Sequence, residues 1–206
     1  MRDLGLFIDG AHLSILWRQI SSRQLDFAKL QATIAQSCGG EIVEAYCFDA
    51  TTNGQMNDYY AAMQRSGIRV KLYTYAYEDV FDELRRPICT PAGTPVRRRI
   101  QKGVDVGLAT HLLDSHRRRR WAKLALIAGD ADFAEPVQRL VEIYGVELTL
   151  IGDAKNTSYA LRPYAASFIG LAAIRPAVER RLTSGLLDLT VAGDLQLVSR
   201  SVGRLP

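Results

Sequence analysis

No apolar run in the 206-residue sequence reaches the length of a membrane span, and its opening, Met-Arg-Asp-Leu-Gly-Leu-Phe-Ile-Asp, is too short and too acidic for a secretion signal. A cytoplasmic location without a membrane partner is therefore expected. Cysteine is scarce: Cys38, Cys47 and Cys89 form no CxxC pair and leave an odd count, which argues against a disulfide framework and a cysteine zinc site. All three read as reduced core residues. Histidine is equally sparse, and His111 and His116, five apart on a helical pattern, do not share a face as a zinc pair would. No GxGxxG follows the first apolar stretch, and no GxxxxGK[ST] or GxSxG occurs, so a dinucleotide site, a P-loop and a serine-hydrolase elbow are excluded. A haloacid-dehalogenase-type phosphatase would need an aspartate at position 11, where Ala11 stands.

What is present is an ordinary globular composition, 48% hydrophobic and 23% charged, long enough for one domain with a sizeable core. Residues 1–175 read as that domain and 176–206 as a C-terminal extension. The net charge of +4 is concentrated in two runs, Arg97-Arg98-Arg99 and Arg117-Arg118-Arg119-Arg120. A solvated face is one reading of such runs; the other is a nucleic-acid partner, since the planar guanidinium suits phosphate oxygens.

The chain is organised around Leu124-Ala-Leu-Ile-Ala-Gly-Asp-Ala-Asp-Phe133, a buried strand that empties into an acidic turn. Before it, Leu4–Ile8, Ile42–Phe48 and Ile68–Ala76 read as strands. The segments His12–Ile20, Asp26 to Gly39, Gln55–Arg65 and Gln101–Ser115 read as helices. After it come a helix over Phe133–Tyr144, a strand over Val146–Ile151, a short helix over Thr157–Arg162 and an apolar piece, Phe168–Leu171. Tyr77–Pro95, with three prolines, breaks the rhythm and reads as an irregular excursion or hairpin. The alternation predicts an α/β fold, a three-layer sandwich with a mainly parallel sheet of about five to six strands. The residues around Ala192-Gly193 read as a hairpin, a loose tail or an edge that pairs with another chain; a homodimer is one such arrangement.

If the strands are parallel, Asp9, Asp49, Asp130 and Asp153 all leave the sheet on its carboxyl side, where open α/β sheets keep their ligands. Asp105 joins them if its helix begins near Lys102-Gly103. Aspartate is common at strand ends because it suits turns and caps, so one alone is weak; four together point to a site. Two unit charges about 4 Å apart repel by roughly 4 kcal/mol at an effective dielectric of 20. A cation between them relieves this, and a cluster of carboxylates without cysteine suits magnesium or manganese.

Phe7-Ile-Asp-Gly-Ala-His-Leu13, Lys102-Gly-Val-Asp-Val106 and Ala128-Gly-Asp-Ala-Asp-Phe133 resemble the three motifs of NYN domains, the LabA-like branch of the PIN-like nucleases, in the same order and spacing over about residues 3 to 172. The resemblance implies a ribonuclease on a Rossmann-like (PIN-like) sheet, dependent on Mg2+ or Mn2+ and acting on single-stranded or loop RNA. Asp9, Asp105, Asp130 and Asp132 stand at the positions of the family's acidic, catalytic and metal-binding residues. His12, Lys102 and Asp153 are candidates for supporting roles, and the two arginine runs for holding RNA. Lys102 would hold a phosphate oxygen or face solvent, and His12 would serve the nucleophile or cap the first helix. The family usually has Asn where His12 stands, and serines commonly where Ala128 and Ala131 stand. These departures keep open a second expectation, a non-catalytic RNA-binding or regulatory module on the same fold.

Overall fold

The computed structural model describes residues 2–180. Strand β1 (Arg2–Asp9) leads into α1 (Gly10–Ile20) and α2 (Phe27–Cys38), then β2 (Gly40–Thr51), α3 (Asp58–Arg65), β3 (Arg69–Asp79) and β4 (Arg97–Gln101). Helix α4 (Val104–Arg119) is followed by β5 (Lys123–Ile127), α5 (Ala134–Gln138), β6 (Glu147–Gly152), β7 (Ala165–Gly170) and α6 (Leu171–Val178). The seven strands form one sheet in the order β4-β3-β2-β1-β5-β6-β7, parallel except for the β3–β4 pair.

Alternation along β1 explains the layers. Leu4, Leu6 and Ile8 face a core completed by α1, α2, α3 and α6, whereas Phe7 faces one built from α4, α5 and Trp121. The local signals act as their chemistry requires. Asp26 caps α2 by accepting from the Lys29 amide at 3.1 Å, and Gly39 ends that helix in the left-handed region at φ 58°.

Seven strands stand where about five to six were expected, and two of them carry no plain strand signal in the sequence. In β4, three successive arginines carry no apolar periodicity; the strand forms because its neighbours across the ladder are acidic, Arg97 opposite Asp79 and Arg98 opposite Glu78. The other is β7, a half-exposed edge whose Ser167 shares a 2.8 Å hydrogen bond with Thr149 of β6. Three helical expectations are also corrected. Gln101 belongs to β4, so α4 begins at Val104 and absorbs most of the second arginine run. Phe133–Tyr144 is divided into a 3-10 turn, α5 and a π turn over Arg139–Ile143. Thr157–Arg162 is not a helix; short 3-10 turns flank it at Ala154–Asn156 and Arg162–Tyr164.

The Tyr77–Pro95 excursion is a folded-back ribbon tip, with backbone bonds from Val80 to Val96, from Ile88 to Val80 and from Val96 to Ile88. Cys89 lies there, bridged to Pro95 and exposed, and so is not a core residue; Cys38 and Cys47 are buried as expected. The hairpin expected around Ala192-Gly193 lies outside the described residues.

Behind the sheet, the buried Glu44 carboxylate accepts from the Trp121 indole N–H at 2.7 Å and from the Ser115 hydroxyl. Trp121→Phe conserves most of the ring but removes one of the two donors to a buried carboxylate. Thermal or urea unfolding should show a loss of about 1–3 kcal/mol; an unchanged midpoint would mean that the indole contributes packing alone.

Candidate active site

Parallel pairing fixes where the strand-end carboxylates emerge. Asp9 is level with Phe48 of β2, and Ile8 with Ile127 of β5, so Asp9 leaves the sheet between Asp49 on one side and the Gly129–Asp132 turn on the other. Asp9 also caps α1, accepting from the His12 amide at 3.1 Å. Burial above all, then the neighbouring Asp105 and Asp49 carboxylates, push its pKa up to about 6 against the stabilising amides of His12 and Ala11.

Asp105 projects from the first turn of α4, after Gly103 takes the left-handed conformation at φ 86°. Burial raises its pKa, with further contributions from Asp130 and Asp132. Asp105 is thus near enough to influence Asp9 and to be influenced by Asp130 and Asp132. Asp130 and Asp132 are exposed. Asp130 caps its own 3-10 turn, one oxygen accepting from the Asp132 amide at 3.1 Å.

Asp49 is the neighbour that the motifs do not mark. It is buried, and its carboxylate accepts from the Tyr60 hydroxyl at 3.0 Å, the Gln101 side chain at 3.2 Å and the Ala50 amide at 2.7 Å. A Cβ on Gly10 would lie 2.8 Å from the Asp49 Cβ, so the residue after Asp9 has room for glycine only. The sequence signal for Asp49 was its place near a strand end; nothing in it disclosed Tyr60 or Gln101.

The His12 ring fills the space between the ends of β5 and β6. A Cβ on Gly129 would come within 3.0 Å of its Nδ1, and one on Gly152 within 3.3 Å of its Nε2. Burial lowers its pKa despite the nearby Asp130 and Asp153, and its Nε2 is buried without a hydrogen-bond partner among the described residues. Asp153 is occupied by its own turn, accepting from the Lys155 amide at 3.2 Å and the Asn156 side chain at 3.0 Å. Lys102 is exposed in the link between β4 and α4.

The arginine runs are separated. Arg97 pairs with Asp79 at 2.9 Å, Arg98 with Glu78 at 3.6 Å, and Arg99 lies 5.5 Å from the Tyr75 ring centre. These three stand on the ribbon that continues past the carboxyl end of β2, since Thr51 is level with Thr74 and the β4 ladder begins only at Tyr75. Arg117 and Arg118 pair with Asp114 at the far end of α4, 3.1 and 3.2 Å away, where basic residues also suit the helix dipole. At 1.5 Å per residue, Arg117 lies about 18 Å along the axis from Asp105.

The NYN domain family model matches residues 3–172. The chain belongs to the NYN domain family. No curated protein matches it. Among solved structures, a protein of unknown function from Vibrio parahaemolyticus is similar at 19% identity with a TM-score of 0.54, over 82% of this chain and 93% of that one, a likeness of fold. Acinetobacter baumannii MurG matches at 8% identity and a TM-score of 0.41, over 82% of this chain and 41% of its own. NYN domains are a PIN-like nuclease family, and this NYN chain is consistent with ribonuclease activity. No helix among its described residues is long and apolar enough to cross a membrane.

Carboxylate oxygens are the donors available to a metal here, and the pKa values of Asp9 and Asp105 are raised first by burial and then by neighbouring carboxylates, both of which a divalent ion would offset. The donors thus fit a hard divalent ion in chemistry and charge. Among the described residues, however, no three or more His, Cys, Asp or Glu side chains are grouped closely enough to enclose one.

The Asp9 shift has a thermodynamic consequence. Folded, the group takes up its proton near pH 6; unfolded, near its ordinary 3.8. The folded state binds more protons between these values, so this group favours folding increasingly as pH falls through that window. In EDTA, the melting temperature relative to Asp9→Asn should rise as pH is lowered from about 7 to about 5. Parallel profiles for the two proteins would show that Asp9 is not the shifted group.

Proposed function

We propose that this NYN protein is a ribonuclease of the LabA-like branch that hydrolyses RNA phosphodiester bonds at the carboxyl edge of its sheet, with Mg2+ or Mn2+ as cofactor. The observation that carries this reading is the half-buried Asp9 carboxyl, raised to about 6 beside Asp105 and Asp49 within a chain of the nuclease family. Asp9 and Asp130 would hold the ion directly, and Asp105 and Asp132 directly or through water. When bound, the ion supplies charge neutralisation at the scissile phosphate and a more acidic water.

The protein's own residues do the rest. The His12 amide, through its bond to Asp9, orients that carboxylate, and the His12 ring supports the Asp130 turn from beneath. Asp49, held by Tyr60 and Gln101, fixes the side of the crevice nearest the ribbon. Single-stranded or loop RNA would approach across Arg97, Arg98 and Arg99, which stand on the same side as Asp9, and Lys102 would bind a further phosphate. The free state of all three cysteines supports a cytoplasmic setting. Residues 1–175 form the catalytic domain in this reading and 176–206 an extension.

A non-catalytic RNA-binding or regulatory role on the same fold is the second reading. The occupied Asp130 oxygen, the fully engaged Asp153 and the alanines at 128 and 131 favour it.

Mixed RNAs incubated with manganese should be cleaved by the wild type, spared in EDTA, and spared by Asp9→Asn. RNA bound equally well with and without EDTA, and never cut, would replace the first reading with the second. The arginines give a separate expectation. Changing Arg97, Arg98 and Arg99 to Gln should weaken RNA binding and flatten its salt dependence, by roughly 0.7 in logarithmic slope for each single-strand phosphate that is no longer neutralised. The same change at Arg117–Arg120 should do less; equal effects would place RNA along the whole of α4.

A further inference from the structure

A cavity with an aromatic corner lies beside the carboxylates rather than among them. It encloses about 540 Å³ between α1, the start of α2 and α3, and Asp49 forms part of its wall. This volume falls within the roughly 300–1,000 Å³ of small-ligand pockets. Phe27, Tyr59 and Tyr60 make an aromatic corner in it, with Tyr59 edge-on to both neighbours at ring-centre distances of 5.3 Å, and Trp17 contributes from α1.

Charge at the cavity is predominantly positive. Arg18, Arg65 and Arg180 line it, and none is in an ion pair among the described residues. Among the described residues, the Arg18 side chain donates to the Ser14 carbonyl of its own helix at 3.1 Å, and that of Arg180 to the Gln24 side chain at 3.0 Å. Against them stand Asp58 at the surface and Asp49, whose carboxylate is taken up by Tyr60, Gln101 and Ala50.

We propose that this cavity is a nucleotide subsite, which receives one base of an RNA strand against the Phe27–Tyr59–Tyr60 corner and holds an adjoining phosphate with Arg18 and Arg65. The proposal rests on the ribonuclease reading for its substrate class. Three features favour a nucleotide over an apolar peptide. Base faces stack on aromatic side chains irrespective of sequence, guanidinium groups match phosphate oxygens, and the cavity adjoins Asp9 through the contact of Gly10 with Asp49. A strand anchored there would present its next phosphodiester to the carboxyl edge.

The chain carries its own probe. Of its two tryptophans, Trp17 lines the cavity, while Trp121 is wholly buried on the opposite face of the sheet. Titration of the full-length protein in EDTA with AMP, with UMP and with a short single-stranded oligouridylate should change the tryptophan emission saturably. Trp17→Phe should abolish the change. Arg18→Gln combined with Arg65→Gln should weaken oligouridylate binding at least about tenfold, whereas Asp9→Asn should still bind. In the cleavage assay the double arginine variant should show a raised KM with kcat less affected, as expected when binding shared by substrate and transition state is removed. Unchanged emission with every probe, or wild-type affinity and KM in the double variant, would overturn the proposal and leave the cavity to another segment or protein. The two readings separate cleanly: a subsite without metal-dependent cleavage leaves nucleotide binding intact in EDTA, and a ribonuclease without this subsite cleaves normally when Arg18 and Arg65 are changed.

Discussion

The contact of Gly10 with Asp49 is the constraint around which the candidate site is built. A side chain at position 10 would collide with Asp49, so α1 can start immediately after Asp9 only because that residue is glycine. The tight start turns the His12 amide onto the Asp9 carboxylate and leaves Asp9 in a poorly solvated corner beside the buried Asp49 carboxylate. Asp49 tolerates its burial because Tyr60, Gln101 and its neighbour's amide all donate to it. The shift at Asp9 thus has a mechanical origin: packing first withdraws water from its carboxylate and then sets which carboxylates stand near it.

On the other side of Asp9 the same economy of space recurs. Gly129 and Gly152, at the ends of adjacent parallel strands, lack the atoms that the His12 ring would strike. The imidazole therefore spans two strand ends and supports the turn that carries Asp130 and Asp132. Its lowered pKa follows from burial of the ring, and its buried Nε2 has no hydrogen-bond partner among the described residues. An asparagine at this position, usual in the family that the motifs resemble, is smaller and would leave part of the gap unfilled.

Polarity along the sheet separates arginines that look equivalent in sequence. The β3–β4 ribbon carries one run past the carboxyl edge, whereas α4 carries the other toward the amino end of β5. Both runs have local carboxylate partners, and such exposed pairs contribute little stability. Their guanidiniums can therefore exchange those partners for phosphate at small cost. Position relative to Asp9, rather than the number of charges, distinguishes the two.

The sequence by itself determined the α/β alternation, the parallel core strands, the Asp26 cap and the carboxyl-side location of Asp9, Asp105 and the Asp130 turn. Each follows from local chemistry: apolar runs of strand length, a capping carboxylate, glycine where φ is positive. It could not disclose β4, because a strand of arginines becomes favourable only when Glu78 and Asp79 lie opposite it. Nor could it show that Cys89 is exposed, since burial depends on which side of a ribbon the residue occupies. Tertiary structure alone decided that Asp49 is buried against Gly10 and bonded to Tyr60 and Gln101, that His12 lies beneath the Asp130 turn, and that an aromatic, arginine-lined cavity adjoins Asp49. These are contacts between residues remote in sequence, fixed by strand order and packing, and no periodicity in the chain encodes which remote partners will meet.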